Sequence, residues 1–412
     1  MSEGKDDMNF KRLQFANRYG HNLAAQLDLP VDGKPHAYAI FAHCFTCTKN
    51  LKAVANINRA LTREGIAVLR FDFTGLGQSE GDFADTNFTT NVSDLMDAAI
   101  YLEKHYRAPM VLIGHSLGGA AVIQAAAEIK SARAVAVIGA PSRTEHVLKH
   151  LSGAEKQIEE KGEAEVTLAG RPFHIKKQFL EDLRADHMTD AVKSLKRALL
   201  ILHSPVDNIV GIENAGEIFQ AARHPKSFIS LDTADHLLSE QADSRYAGTI
   251  IAAWSRKYTE TPRREKIREA PSESEVTVRL GKTGYTTEIS AGSHSLVADE
   301  PESAGGADMG PTPYDYLVAG LGACKAITLR MYADRKKWPL DAIRIGLSHN
   351  KVHADDCRDC ETREGYLDEI KGTIALEGDL DADQRRRLME IADRCPVHRT
   401  LKGEIRIKIH EH

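Results

Sequence analysis

Pro109-Met110-Val111-Leu112-Ile113-Gly114-His115-Ser116-Leu117-Gly118-Gly119-Ala120-Ala121-Val122-Ile123 is the stretch that decides how this chain folds. An apolar run ends in Gly-x-Ser-x-Gly and continues into small residues, a pattern that spells strand, sharp turn, helix. A serine at such a turn sits in a strained backbone conformation, and side chains at the flanking glycines would collide with neighbouring elements. The turn lifts the hydroxyl above the sheet edge, and the N–H of Leu117 is placed to stabilise an oxyanion. Ser116 is therefore expected as a nucleophile.

A nucleophilic serine needs a base, and the base needs an orienting carboxylate. On this kind of turn the partners follow in the order acid, then histidine, each on a loop after a later strand. Asp207 follows the expected strand Ala198–Leu202, and His236 follows the expected strand Lys226–Leu231. Asp235 is too near His236 in the chain to orient it, Asp232 suits a turn, and His203 and His187 are the rival bases. The second oxyanion donor is expected in Ala42-His43-Cys44-Phe45-Thr46-Cys47, and it is assigned to the backbone of Phe45. Cys44 and Cys47 form a C-x-x-C. With no second paired-ligand motif in this half, they read as pocket-lining thiols rather than a zinc or redox pair. In Gly75-Leu76-Gly77-Gln78-Ser79-Glu80-Gly81 the third glycine is misplaced for a dinucleotide loop, and no acidic ribose ligand follows. NAD is not expected, nor any other cofactor.

At 412 residues the chain exceeds one ordinary core and reads as two domains. A net charge of -5 without a basic face argues against nucleic acid. Met1–Asp7 lacks the apolar core of a signal peptide, and no apolar run approaches the ~18–20 residues that span a bilayer. A cytoplasmic protein with reduced cysteines is the expectation, unless those cysteines do redox work. Residues 1–257 alternate continuous apolar strands with helices, which implies an α/β domain with a parallel sheet covered on both faces. A small charged insertion at about 143–190 reads as a cap. Residues 258–274 are polar, without a periodic apolar face, and read as a linker. Residues 275–412 mix strands and helices without strict alternation and read as α+β. The elements expected there are strands Glu275–Leu280, Tyr285–Ile289, Ile343–His349, Ile370–Glu377 and Glu404–His410, with helices Pro313–Lys336 and Ala382–Arg394. Arg385-Arg386-Arg387 falls on a solvated helix face.

The second half carries Cys324, Cys357, Cys360 and Cys395. At helical spacing Cys324 shares a face with Leu317 and Leu321, so by position alone it reads as an inert core thiol. Cys357-Arg358-Asp359-Cys360, with His349 and His353 upstream, suits half a zinc set or a redox pair in a loop. No complete ligand set is legible, and no metal is expected.

Two resemblances follow from these motifs. Residues of about 25–257 resemble the α/β-hydrolase family through His43-Cys44-Phe45, Asp72-Phe73-Thr74-Gly75-Leu76-Gly77-Gln78-Ser79, the Ser116 turn, Asp207 and His236. That resemblance implies hydrolysis of a small-molecule ester through an acyl-enzyme, with thioesterase or amidase as alternatives. The modest, charged cap points away from a bulky lipid.

Residues of about 272–412 resemble the OsmC/Ohr family through the proline-led helix ending in Gly322-Ala323-Cys324 and through Arg394-Cys395-Pro396-Val397-His398. This implies reduction of an organic hydroperoxide at the expense of a dithiol. Cys324 would attack and become a sulfenic acid, and Cys395 would resolve it as a disulfide. The resemblance also implies an intertwined homodimer and gives Asp315 the place of a carboxylate that positions an arginine. The chain departs from the family in that Ser290–Leu296 holds no arginine, with His294 standing nearby. A non-redox dimerisation or ligand-binding module is the alternative reading of this half.

Overall fold

A computed structural model describes residues 10–31, 33–44, 48–151, 153–168, 171–185, 187–259, 276–281, 284–292, 294–353 and 365–411. By internal contacts the chain divides into two units, Met1–Arg279 with Ile289–Leu296, and Leu280–Glu288 with Val297–His412. The first opens with an antiparallel hairpin, β1 (Phe10–Ala16) and β2 (Asn22–Asp28), which the apolar runs did not announce. From there strand and helix alternate through β3 (Ala37–Ala42), α1 (Lys52–Arg63), β4 (Ile66–Phe71) and α2 (Phe88–His105). The deciding stretch follows as β5 (Val111–His115) and α3 (Leu117–Glu128), and β6 (Ala134–Ile138) comes next.

An insertion follows β6 before the sheet resumes. It comprises a short 3-10 segment, α4 (Glu155–Lys161), a separate hairpin of β7 (Glu163–Leu168) and β8 (Arg171–Lys176), then α5 (Lys177–Arg184) and α6 (Met188–Ser194). The sheet resumes with β9 (Ala198–His203), α7 (Glu213–Ala221), β10 (Lys226–Ser230) and α8 (Gln241–Thr259). Eight strands lie in the order β1-β2-β4-β3-β5-β6-β9-β10. From β4 to β10 every pairing is parallel. Residues of β3, β4, β5, β6 and β9 are buried throughout. Alternate side chains go to opposite faces: Ile40 and Leu69 join one core cluster, Phe41 and Val68 the other. Apolar burial on both faces is why these strands read as continuous rather than alternating runs. The glycines of α3 are steric requirements, since a Cβ at Gly119 would stand 2.7 Å from the Ala140 Cβ.

The later segment begins with a three-stranded sheet of β11 (Val276–Leu280), β12 (Thr287–Ala291) and β13 (His294–Ala298). Helix α9 (Pro313–Lys336) is started by Pro313 and a Thr312–Asp315 capping box. Strands β14 (Ala342–His353) and β15 (Tyr366–Glu377) pair antiparallel over twelve residues each, followed by α10 (Ala382–Ala392) and α11 (Pro396–Lys402). The core here is small: Leu329, Ala333, Leu340, Leu380, Leu388, Ile391 and Ala392.

Two expectations need correction. The closing strand at Glu404–His410 does not form, and Ile405, Ile407 and Ile409 are exposed. Its alternating pattern suits a strand, but a strand exists only with a neighbour to take its hydrogen bonds, and this segment has none among the described residues. Cys324 is also not on the buried stripe of α9, which runs Val318, Leu321, Lys325, Leu329, Ala333, while Leu317 is exposed. A lysine occupies the central buried position that apolar spacing gave to the cysteine's face. Among the described residues no helix is long and apolar enough to cross a membrane.

Candidate active site

Ser116 lies between β5 and α3 with φ 55° and ψ −128°, a region that non-glycine residues rarely visit. Its N–H donates to the Ile138 carbonyl at 2.8 Å, and the Gly119 N–H donates to the Ser116 carbonyl at 2.8 Å, so neighbours on both sides fix the turn. A Cβ at Gly114 would stand 2.3 Å from the Gly118 carbonyl oxygen, and one at Gly118 would stand 2.4 Å from that of His43. The Gly-x-Ser-x-Gly spacing is thus imposed by backbone approaching backbone. Leu117 is the first residue of α3, so its N–H belongs to those that a helix leaves without an internal acceptor. The other assigned donor, Phe45, lies outside the described residues.

His236 Nδ1 is 2.7 Å from Asp207 Oδ2. Asp207 follows β9, and its Oδ1 accepts from the N–H groups of Ile209 and Val210, both at 2.9 Å. Burial opposes ionisation of Asp207, but the His236 hydrogen bond and those N–H groups overcome it and hold the carboxyl below its ordinary range. An ionised Asp207 accepting at Oδ2 puts the proton of neutral His236 on Nδ1 and leaves Nε2 as the basic nitrogen.

The rival groups have other duties. His203 is fully buried and gives its Nε2–H to the Val210 carbonyl at 2.7 Å, bracing the Asp207 loop. Asp235 accepts from the Ser239 N–H at 2.8 Å, Asp232 sits in a turn at φ 36°, and His187 is exposed at the N-cap of α6.

Sequence reading missed His115. Burial, and after it the nearness of His236, pushes this histidine down to about 3, so it is neutral. It gives its Nε2–H to the His236 carbonyl at 2.6 Å and fixes the His236 backbone from the strand that leads into Ser116. The histidine in Gly-His-Ser was the available signal, but a buried role for it needs the fold.

The glycine loop after β4 is explained by Asp72. The carboxylate accepts from Lys49 Nζ at 2.6 Å, the Lys49 N–H at 2.8 Å and the Gln78 N–H at 3.0 Å. A Cβ at Gly77 would stand 2.3 Å from Asp72 Oδ2, so the glycine lets the chain wrap its own aspartate. Cys44 is disulfide-bonded, which corrects its reading as a pocket-lining thiol. Cys47 lies outside the described residues, as do Cys357 and Cys360.

In the second unit Cys324 and Cys395 are free thiols that interact with one another. Cys324, on α9, is half-buried, whereas Cys395, at the N-cap of α11, is wholly buried. Burial raises the Cys395 thiol. The His398 N–H, donated to its sulfur at 3.3 Å, and the charge of Lys325 pull the other way. Asp315 accepts from the Thr312 N–H at 2.9 Å and its hydroxyl at 2.7 Å, so its carboxylate serves the helix cap. His294 is exposed.

The comparisons with known proteins agree with this division. Residues 33–160 match the family described as serine aminopeptidase, S33, and residues 305–410 match the family described as OsmC-like protein. The crystal structure of the esterase domain from a Rhodothermus marinus protein is 53% identical, with a TM-score of 0.51 over 61% of this chain and all of that one. Alpha/beta hydrolase domain-containing protein 10 from mouse shares the fold at 22% identity, with a TM-score of 0.51 over 60% of this chain and 99% of that one. Among curated proteins, the mitochondrial palmitoyl-protein thioesterase ABHD10 of Rattus norvegicus is 24% identical over 212 residues, 50% of this chain and 70% of the relative. The chain belongs to the α/β-hydrolase family, and it carries an OsmC-like domain fused behind the hydrolase fold.

Proposed function

We propose that the first unit hydrolyses carboxylic esters through a Ser116–His236–Asp207 triad. The observation that carries this reading is the 2.7 Å His236–Asp207 bond on loops that follow successive strands, with Ser116 on its strained turn. His236 Nε2 takes the proton as Ser116 Oγ attacks the acyl carbon, and returns it to the leaving alcohol. Asp207 holds the imidazole and stabilises its charged form. The developing oxyanion is met by the Leu117 and Phe45 N–H groups. Water then repeats the cycle on the acyl-enzyme. That the 53%-identical relative is an esterase domain supports an ester substrate. The thioesterase name of the 24%-identical relative supports the second reading, an acyl thioester. A panel of matched oxygen and thioesters, with fluorophosphonate labelling of wild type and Ser116→Ala, decides between them. Labelling that persists in Ser116→Ala removes the serine from the mechanism.

The second unit is read as a thiol peroxidase. The half-buried Cys324 thiolate attacks the distal oxygen of an organic hydroperoxide, the O–O bond breaks, and the alcohol leaves. Cys395 attacks the resulting sulfenic acid, an S–S bond forms and water departs. A small dithiol then returns both cysteines by two exchange steps. The alternative is a module without turnover, and hydroperoxide consumption by wild type and Cys324→Ser separates the two.

This half also acts as a homodimer in our reading. Leu317, Ile327, Met331, Tyr366, Ile407 and Ile409 are all exposed in the unit whose core cluster, among the described residues, has seven members, more apolar surface than a stable monomer leaves open. The disulfide at Cys44 runs against the expectation of fully reduced cysteines, and the mitochondrial relative names the compartment to test against a cytoplasmic one.

A further inference from the structure

Lys325 is 7% exposed in the middle of the apolar stripe of α9, where a lysine is costly unless its charge is used. Its Nζ donates to the Ala392 carbonyl at 2.9 Å, Asp393 Oδ1 at 3.1 Å and His398 Nδ1 at 3.1 Å. Three acceptors match the three N–H bonds of an ammonium. Because His398 accepts at Nδ1 it is neutral, with its ring proton on Nε2. Its backbone N–H donates to Cys395 Sγ. One buried cation, the wholly buried Cys395 and the thiol of Cys324 therefore form a single cluster.

We propose that Lys325 is a positioning residue that stabilises Cys395 as a thiolate. It would act both when Cys395 attacks the Cys324 sulfenic acid and when it leaves as the incoming dithiol attacks Cys324. This inference rests on the peroxidase reading and adds that the cation serves the resolving sulfur. In the first step Cys395–S⁻ bonds to Cys324 sulfur, the S–OH bond breaks, and the departing hydroxide takes a proton to become water. In the second, the dithiol's thiolate bonds to Cys324 sulfur and the electron pair of the S–S bond goes to Cys395. The charged and titratable groups of the cluster are Cys324 and Lys325 from α9, Asp393 from the end of α10, and His398 and Lys402 from α11. Asp393 is the counter-charge, and its side chain is 70% exposed.

The test is a pH titration of Cys395 thiolate absorbance in full-length Cys324→Ser protein, taken as the difference from Cys324→Ser/Cys395→Ser. Lys325→Met should move the midpoint upward, leaving about tenfold less thiolate at a given pH. Lys325→Arg should restore it, and Asp393→Asn, which removes the counter-charge, should move it downward. A Lys325 that merely staples α9 to α10 would leave the Lys325→Met titration on the parent curve, or let Asp393→Asn shift the same way as Lys325→Met. Either result overturns the proposal, and Asp393→Asn decides if Lys325→Met fails to fold. With both cysteines present, Lys325→Met should raise trapping of Cys324 sulfenic acid by dimedone several-fold after a peroxide pulse. If wild type consumes no hydroperoxide, the peroxidase reading fails while the titration still decides the role of Lys325.

Discussion

The two units place their candidate reactive atoms by opposite means. In the hydrolase unit, position comes from backbone: Ser116 is forced into its conformation by Gly114 and Gly118 packed against carbonyls, inside a sheet buried on both faces. In the OsmC-like unit, position comes from side chains: two thiols, a lysine and a histidine converge between helices beside a core cluster of seven members among the described residues. A rigid sheet lets a serine be strained without loss of the fold. A thin core can instead keep a charged lysine at its centre, because every one of its donors is matched.

Predictions that sharpen this contrast begin with the largest effect. Ser116→Ala should remove ester hydrolysis by about five to six orders of magnitude, by analogy with other serine triads, while leaving the thiol cluster intact. Steady-state kinetics with an activated ester and a free-thiol count check both halves of that statement. Asp207→Asn should cost about 10⁴-fold in kcat, because an amide can donate to His236 Nδ1 and hold the wrong tautomer. A loss under tenfold would mean that the 2.7 Å bond does not orient the base.

The thin unit is tested by charge on its uncovered apolar segment. Ile407→Asp with Ile409→Asp should turn a dimer into a monomer in light scattering and lower the melting temperature of the chain. A wild-type monomer at micromolar concentration would break the dimer reading.

The smallest effect concerns pH. His115 is held at about 3 in the folded chain against an ordinary value near 6.5. The unfolded chain therefore binds the extra proton first. The stability of neutral, buried His115 is complete above about 6.5 and is lost as pH falls towards 3, with a ceiling of roughly 5 kcal/mol. His115→Gln keeps a donor for the His236 carbonyl without that titration. Its melting temperature should fall less steeply than wild type below pH 6.5, and parallel curves would contradict the assignment.

Much of the hydrolase unit was legible because a parallel sheet buried on both faces writes each strand as one apolar run: β9 and β10 fall within one residue of the expected Ala198–Leu202 and Lys226–Leu231. The β1–β2 hairpin escaped because Phe10–Ala16 mixes charged and apolar residues on an antiparallel edge. Asp207 and His236 were read from chain order and strand ends, and the fold brings them to 2.7 Å of one another, whereas the bonds of His115 and His203 show only when loops close over them. Lys325 was illegible because a lysine in a helix is read as solvent-facing, and apolar spacing drew attention to Cys324. The segment Glu404–His410 reads as a strand in any pattern. A sequence does not say whether the neighbour it needs belongs to the same copy.

The central claim is that one chain holds two separate reaction centres. Ester hydrolysis and dithiol-dependent consumption of an organic hydroperoxide should be measured side by side on full-length wild type, Ser116→Ala and Cys324→Ser. The account predicts a double dissociation, in which the serine variant loses only hydrolysis and the cysteine variant only peroxide consumption. Wild type that hydrolyses esters but leaves hydroperoxide untouched, or a Ser116→Ala variant that hydrolyses at the wild-type rate, would contradict it.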